Sequence, residues 1–190
     1  KHFEKPQPIT REKIDEPRTV AKQETIQYMD VAMPKLTMAI KVDNVPDTPS
    51  EKLKRELSCN IILDYLFSKS GDLYEEWTKD GLINDSFGGF FTQERDYAFI
   101  QMGGDTFHVE ELKKALQALV GALPEKTLPK SDFERLKRQN IGNMIMLFNS
   151  PESIANLFIR YYFENISAFE LIDALDALTY DDVMACLKLF

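Results

Sequence analysis

Only two side chains in this sequence could give imidazole nitrogen to a metal, His2 and His108. A hydrolytic zinc site needs at least three nitrogen, sulfur or oxygen ligands converging on one point, and the helical motif H-x-x-E-H draws two of them from one helix. Neither histidine has a second one three or four residues away, so that motif is absent from the sequence. His2 falls in an expected connector. His108 falls in the first turn of an expected helix and reads as a surface residue. Nucleophilic catalysis is equally unsupported: no serine stands in a G-x-S-x-G elbow, and neither Cys59 nor Cys186 has an activating base beside it in sequence. Both cysteines fall on apolar helix faces and are expected to be buried, reduced thiols, forming neither a disulfide framework nor a zinc ribbon. Gly103-Gly104-Asp105 lacks both a Walker lysine and G-x-G-x-x-G spacing, so it reads as a strand-to-helix turn and not as a phosphate cradle. The acidic pairs Glu75-Glu76, Glu110-Glu111 and Asp181-Asp182 are adjacent residues that diverge by about 100 degrees on a helix, so they read as solvated helix starts and faces.

Aromatic residues are the remaining signal. Phe87, Phe90, Phe91, Tyr97 and Phe99 fall on an expected hairpin, strands 82–91 and 97–102, where alternate side chains face opposite ways. One face is expected under helices and the other open to a partner or a peptide. Upstream, residues 25–31 have strand propensity, and 35–42 alternate cleanly, with Leu36, Met38, Ile40 and Val42 on one face. The two are expected to form a half-buried antiparallel pair. A helix should start near Ser50 and carry Leu53, Leu57, Ile61, Ile62 and Leu66 on one stripe, and a shorter one over 72–79 should stop at Gly81. From Asp105 onward the pattern is helical. Ser131 with Glu134 and Ser167 with Glu170 match the capping box, Thr179 with Asp182 is a shorter-armed variant, and Pro151 opens a further helix. Early strands and late helices predict an α+β domain, with an antiparallel sheet of at least four strands covered by helices.

The 190 residues, 44% hydrophobic and 28% charged, suit one globular domain. Residues 1–24 carry charges and three prolines without apolar periodicity and are expected to be an extended linker, with 25–190 the single domain. A net charge of −8 disfavours nucleic acid and anionic membrane surfaces. Apolar runs fall well short of the roughly 20 residues a spanning helix needs. A soluble, cytoplasmic protein is the expectation.

The segments LSCNIILDYLFSKSGDLYEEWTKDGLINDSFGGFFTQERDYAFIQMGGDT and FERLKRQNIGNMIMLFNSPESIANLFIRYYFENISAFELIDAL resemble the C-terminal half of a bacterial pitrilysin/insulinase-family zinc metallopeptidase. The resemblance implies two similar α+β halves closing around an unfolded peptide, with zinc in the N-terminal half and this chain as its non-catalytic partner. That partner is either the zinc-bearing half of the same polypeptide or a homologous subunit. Many relatives also place an arginine and a tyrosine around the helix-to-strand turn, as R-x-x-x-G-x-x-Y. Aligned on Gly81, this sequence has Trp77 and Asn84 there, which implies that the usual cationic contact is missing. Trp77, Asn84 and Phe87 become the candidate substrate-facing residues, with no catalytic or metal-binding residue in this chain. A non-enzymatic scaffold or interaction module derived from the fold is the alternative. With two distant histidines, the purified chain is expected to hold no stoichiometric zinc, which metal analysis by atomic emission would check.

Overall fold

The structure is a computed structural model that describes residues 12, 17 and 19–190. Most of the expected 1–24 linker lies outside the described residues; residues 19–24 are exposed and belong to no helix or strand. The elements run β1 (Lys35–Val42), α1 (Pro49–Phe67), α2 (Asp72–Lys79), β2 (Gly88–Gln93), β3 (Ala98–Asp105), α3 (Val109–Ala122), α4 (Lys130–Leu147), α5 (Pro151–Tyr162), α6 (Glu170–Ala177) and α7 (Tyr180–Cys186), with short 3-10 turns after α3 and α7. The α+β class is as expected. No helix among the described residues is long and apolar enough to cross a membrane.

The sheet has three strands in the order β1-β3-β2, all antiparallel, and not the four or more expected. One segment accounts for the shortfall, and a second shortens a strand that does form. Residues 25–31 are exposed and carry no strand, because the entry to β1 is fixed elsewhere: the Thr106 N–H donates to the Pro34 carbonyl at 2.9 Å, and Glu24 pairs with Lys113 of α3 at 2.7 Å. Residues 82–87 turn instead of extending. The Asn84 side-chain oxygen accepts from Ser86 N (2.9 Å) and its carbonyl accepts from Phe87 N (2.9 Å), a local alternative to ladder bonds typical of asparagine. The second strand therefore starts at Gly88.

One sheet face is buried. Its rows pair Met38 with Met102, and Ile40 with Ile100 and Phe91, under α1. Cys59, Ile61 and Ile62 in the middle of α1 are 0–1% exposed, because α1 also meets α4, α6 and α7 on its far side. Capping sets its start: Thr48 accepts from Glu51 N at 3.3 Å, ahead of Pro49 at the first helical position. Of the three expected capping boxes, Thr179 with Asp182 forms both reciprocal bonds, at 3.2 and 3.0 Å. Ser131 instead lies inside the first turn of α4, which begins at Lys130 after Pro129, and Ser167 accepts from Phe169 N just before α6.

Glycines let the layers close. A Cβ on Gly104 would stand 2.7 Å from the Phe87 Cα, one on Gly89 2.8 Å from the Phe67 ring, and one on Gly103 2.1 Å from the Leu36 carbonyl oxygen. Gly103→Ala is expected to lose about 2–3 kcal/mol through forced separation of β1 and β3, while Gly88→Ala, whose added carbon meets nothing, should stay within about 0.5 kcal/mol. Urea denaturation of the two variants would check the contrast.

Two carboxylates of α1 face the outer helices. Burial pushes Glu56 above the ordinary range, opposed by Arg160 and the Tyr161 hydroxyl; burial also pushes Asp64 up, opposed by Asn140, whose amide donates to it at 2.8 Å. A carboxyl raised in the folded state binds its proton more tightly than in the unfolded chain. Its contribution therefore favours the fold in acid and declines as pH rises through and above the ordinary carboxylate range. Asp64→Asn removes that decline. The variant is expected to gain stability over the parent at about pH 7 relative to about pH 4.5, readable by urea titration at both values.

Candidate functional site

The site is built where α2 hands the chain to the sheet. Gly81, at φ +68, ends α2: its N–H donates to the Thr78 carbonyl (3.0 Å), and Leu82 N donates to Trp77 O (2.9 Å). This is the Schellman pattern, which needs the left-handed conformation glycine adopts without steric cost. The turn that follows is pinned to the end of β3. The Thr106 hydroxyl donates to Leu82 O (2.9 Å) and accepts from His108 N (3.0 Å), the Asn84 amide donates to Asp105 O (2.9 Å), and Asp105 N donates to the Ser86 hydroxyl (2.7 Å). Thr106 is 3% exposed, and these bonds satisfy its hydroxyl.

Trp77 and Phe87 lie beneath this turn, buried at 7% and 6% exposure, with their rings edge to face at 5.9 Å; Phe67 meets Phe87 the same way at 5.2 Å. Asn84 is half-buried, with its side-chain amide and oxygen both engaged. The structure thus brings Trp77, Asn84 and Phe87 into one cluster. His108 stands apart, exposed at the start of α3.

Beside the turn, the second sheet face is open. Its rows are Lys35 with Asp105, Thr37 with Gly103 and Gly88, Ala39 with Gln101 and Phe90, and Lys41 with Phe99 and Thr92. The facing Gly88 and Gly103 carry no side chains, so the surface dips into an open trough of about 300 Å3, lined also by Ser86, Gln101 and Phe90. Phe90 is 50% exposed, and Tyr97 stacks on Phe99 at 6.2 Å along the same hairpin. A hairpin with two apolar faces is present over 88–93 and 98–105, while Phe87 and Tyr97, expected on it, fall just outside the strands. Lys35, Thr37 and Gln101 escaped the sequence reading of the site, though the polar half of the 35–42 alternation carried the signal for the first two.

The trough offers neutral donors and acceptors, a rim ion pair of Lys35 with Asp105 at 3.5 Å, and one apolar wall. This composition provides hydrogen-bonding groups and one apolar contact on an open surface. Among the described residues no three His, Cys, Asp or Glu side chains gather as a metal-binding group, so the donor set does not fit a zinc ion. The cysteines are both free and buried, yet the fold places them side by side where α1 meets α7. Cys186 and burial push the Cys59 thiol well up. Their separation in sequence concealed that contact.

Comparison with known proteins gives a consistent result. Residues 1–140 match the family described as Peptidase M16 inactive domain. The uncharacterized zinc protease YmfH of Bacillus subtilis (strain 168) is 34% identical over 175 residues, which cover 92% of this chain and 41% of that protein. Among solved structures, an M16-like peptidase from Alicyclobacillus acidocaldarius superposes with a TM-score of 0.76 at 20% identity, over 83% of this chain and 38% of its own. A protein from Bordetella parapertussis, described as the inactive peptidase domain of a zinc protease, gives a TM-score of 0.63 at 18% identity over 84% and 86%. At those identities the structural likeness speaks for the fold alone. This chain spans 41% of the length of its Bacillus relative, and on the family match it belongs to the peptidase M16 inactive-domain family.

Proposed function

We propose that this chain is the substrate-enclosing, non-catalytic half of a zinc-dependent endopeptidase, closing over an unfolded peptide held by a zinc-bearing half. That half is either the rest of the same polypeptide or a homologous subunit. The observation that carries this reading is the conjunction of an inactive-domain family match with a polar trough on an open sheet face and no metal-ligand group among the described residues. Thr37, Ser86 and Gln101 give hydrogen-bonding groups to a passing peptide, and Phe90 covers an apolar side chain. Trp77, Asn84 and Phe87 contribute to the substrate-facing wall through the turn they hold, with Asn84 nearest the surface and the two rings supporting it from below. Two free, buried thiols fit a reducing compartment, so a cytoplasmic location is part of the proposal.

A second reading, a non-enzymatic interaction module, is favoured by one feature. Tyr162, Phe163 and Phe169 are 75%, 79% and 68% exposed around the α5–α6 connection, an apolar surface suited to a standing protein partner. The two readings part on the remainder of the polypeptide: a segment with H-x-x-E-H and a downstream glutamate belongs to the first.

In the intact protein, Phe90→Ala combined with Gln101→Ala is expected to weaken binding of an unfolded peptide about fivefold to tenfold while leaving zinc content unchanged. Fluorescence anisotropy with a labelled peptide measures the first and metal analysis the second. Unaltered peptide affinity would count against the trough. Trp77→Ala is expected to act differently, costing about 3–5 kcal/mol of stability by emptying a core position, as thermal unfolding would report.

A further inference from the structure

We propose that residues 25–31 form a strand donor, which adds to an edge strand of the zinc-bearing half in the rest of the polypeptide. This inference rests on the reading that such a half exists. The segment has strand chemistry without a strand's partner. Ile26, Tyr28, Met29 and Val31 are 69%, 93%, 65% and 57% exposed, and no helix or strand includes them. Isolated exposed apolar residues are ordinary, but four within six positions on a β-prone run are an interaction surface.

Three features favour strand addition over simple lodging against this domain. First, both ends are held: Glu24 pairs with Lys113 at 2.7 Å, and the Pro34 carbonyl accepts from Thr106 N at 2.9 Å. The stretch between is presented as a tethered arm. Second, alternation puts Ile26 and Tyr28 on one face and Met29 and Val31 on the other. A strand apolar on both faces is covered on both, as happens within a sheet and not on the outside of a helix layer. Third, the most direct partner in this chain is not taken up. Residues 32–34 lead straight into β1, yet 25–31 make no ladder with its free edge. An edge from outside the chain remains. The Bacillus relative and the Alicyclobacillus structure are each more than twice as long as the region this chain matches, so their remaining length can supply one. Main-chain hydrogen bonds would give the affinity and the four apolar side chains the register.

Amide hydrogen exchange on the intact polypeptide tests this, with the β1 and β3 amides as an internal reference for folding. Residues 25–31 are expected to exchange about 100-fold or more slowly than exposed loops, and Gln27→Pro should abolish that protection while the reference amides stay protected. Fast exchange at 25–31 in the unmutated protein would overturn the proposal, and if that protein still bound zinc and peptide, the enclosing role would survive. Protection that disappears on dilution would also overturn it, identifying a second copy of this chain as the partner. Protection in a polypeptide without zinc or a zinc motif would overturn the assigned partner and the enclosing role together.

Discussion

The rest of this structure depends on α1 having apolar surface on two opposite sides. A single amphipathic stripe, Leu53, Leu57, Ile61, Ile62 and Leu66, would need only the sheet. Cys59, about 160° round the helix from Leu57 and Ile61, is fully buried as well, and this requires a second layer. The outer helices α4, α6 and α7 supply it. Polar groups on α1 must then find partners inside the assembly, and most do. Arg55 donates to Gln93 at 2.8 Å and to the Asn44 carbonyl at 3.0 Å, Asp64 receives Asn140, and Glu56 receives Arg160 and Tyr161. Lys54 reaches Asp182 of α7 at 3.1 Å, a pair near the surface that adds orientation more than energy.

From that sandwich follows the asymmetry of the sheet. Its inner face is committed to α1, where glycine at 89 lets the Phe67 ring come against the strand and glycine at 104 admits the Phe87 backbone. Its outer face is left to do something else. Glycine at 88 and 103 recurs there one residue out of phase; both line the depression, and Gly103 also lets β3 approach the Leu36 carbonyl of β1. The two adjacent pairs, Gly88-Gly89 and Gly103-Gly104, thus serve packing on one side and access on the other. Alternation along a strand makes this division inevitable once each pair is in register with its neighbour.

Local chemistry was legible in the sequence, and long-range partnership was not. Gly81 could be read as a helix end because the Schellman bonds span only residues 77–82, and Thr179 with Asp182 because a capping box closes over three positions. Pro151 and the alternation of 35–42 were legible for the same reason. The expected strand through 82–87 failed because Asn84 can bond to its own turn and to Asp105 O, and the second partner is invisible in the local pattern. The expected fourth strand failed differently: residues 25–31 have the propensity, but strand formation needs a neighbour that propensity cannot supply. The candidate residues Trp77, Asn84 and Phe87 were found by alignment on Gly81 and by aromatic content. The burial of Phe87 rests in part on Phe67, twenty residues earlier, which no short window relates to it.

Internal pairing also limits what the turn after α2 can offer a ligand. A turn that places an arginine and a tyrosine toward substrate must leave their polar ends unpaired by the protein. In this chain the side chains at positions 77 and 84 are satisfied internally: Trp77 fills the core against Phe87, and Asn84 spends its amide and oxygen on Asp105 and Ser86. A side chain already saturated with hydrogen bonds has little to give a developing charge. The Tyr74 hydroxyl, the nearest phenol in the region, donates to the Asn84 carbonyl at 3.2 Å and is likewise engaged. The side chains at positions 77 and 84 thus hold the turn together. What remains open beside the turn is the trough, where Thr37, Ser86 and Gln101 bring hydrogen-bonding groups and Phe90 an apolar wall.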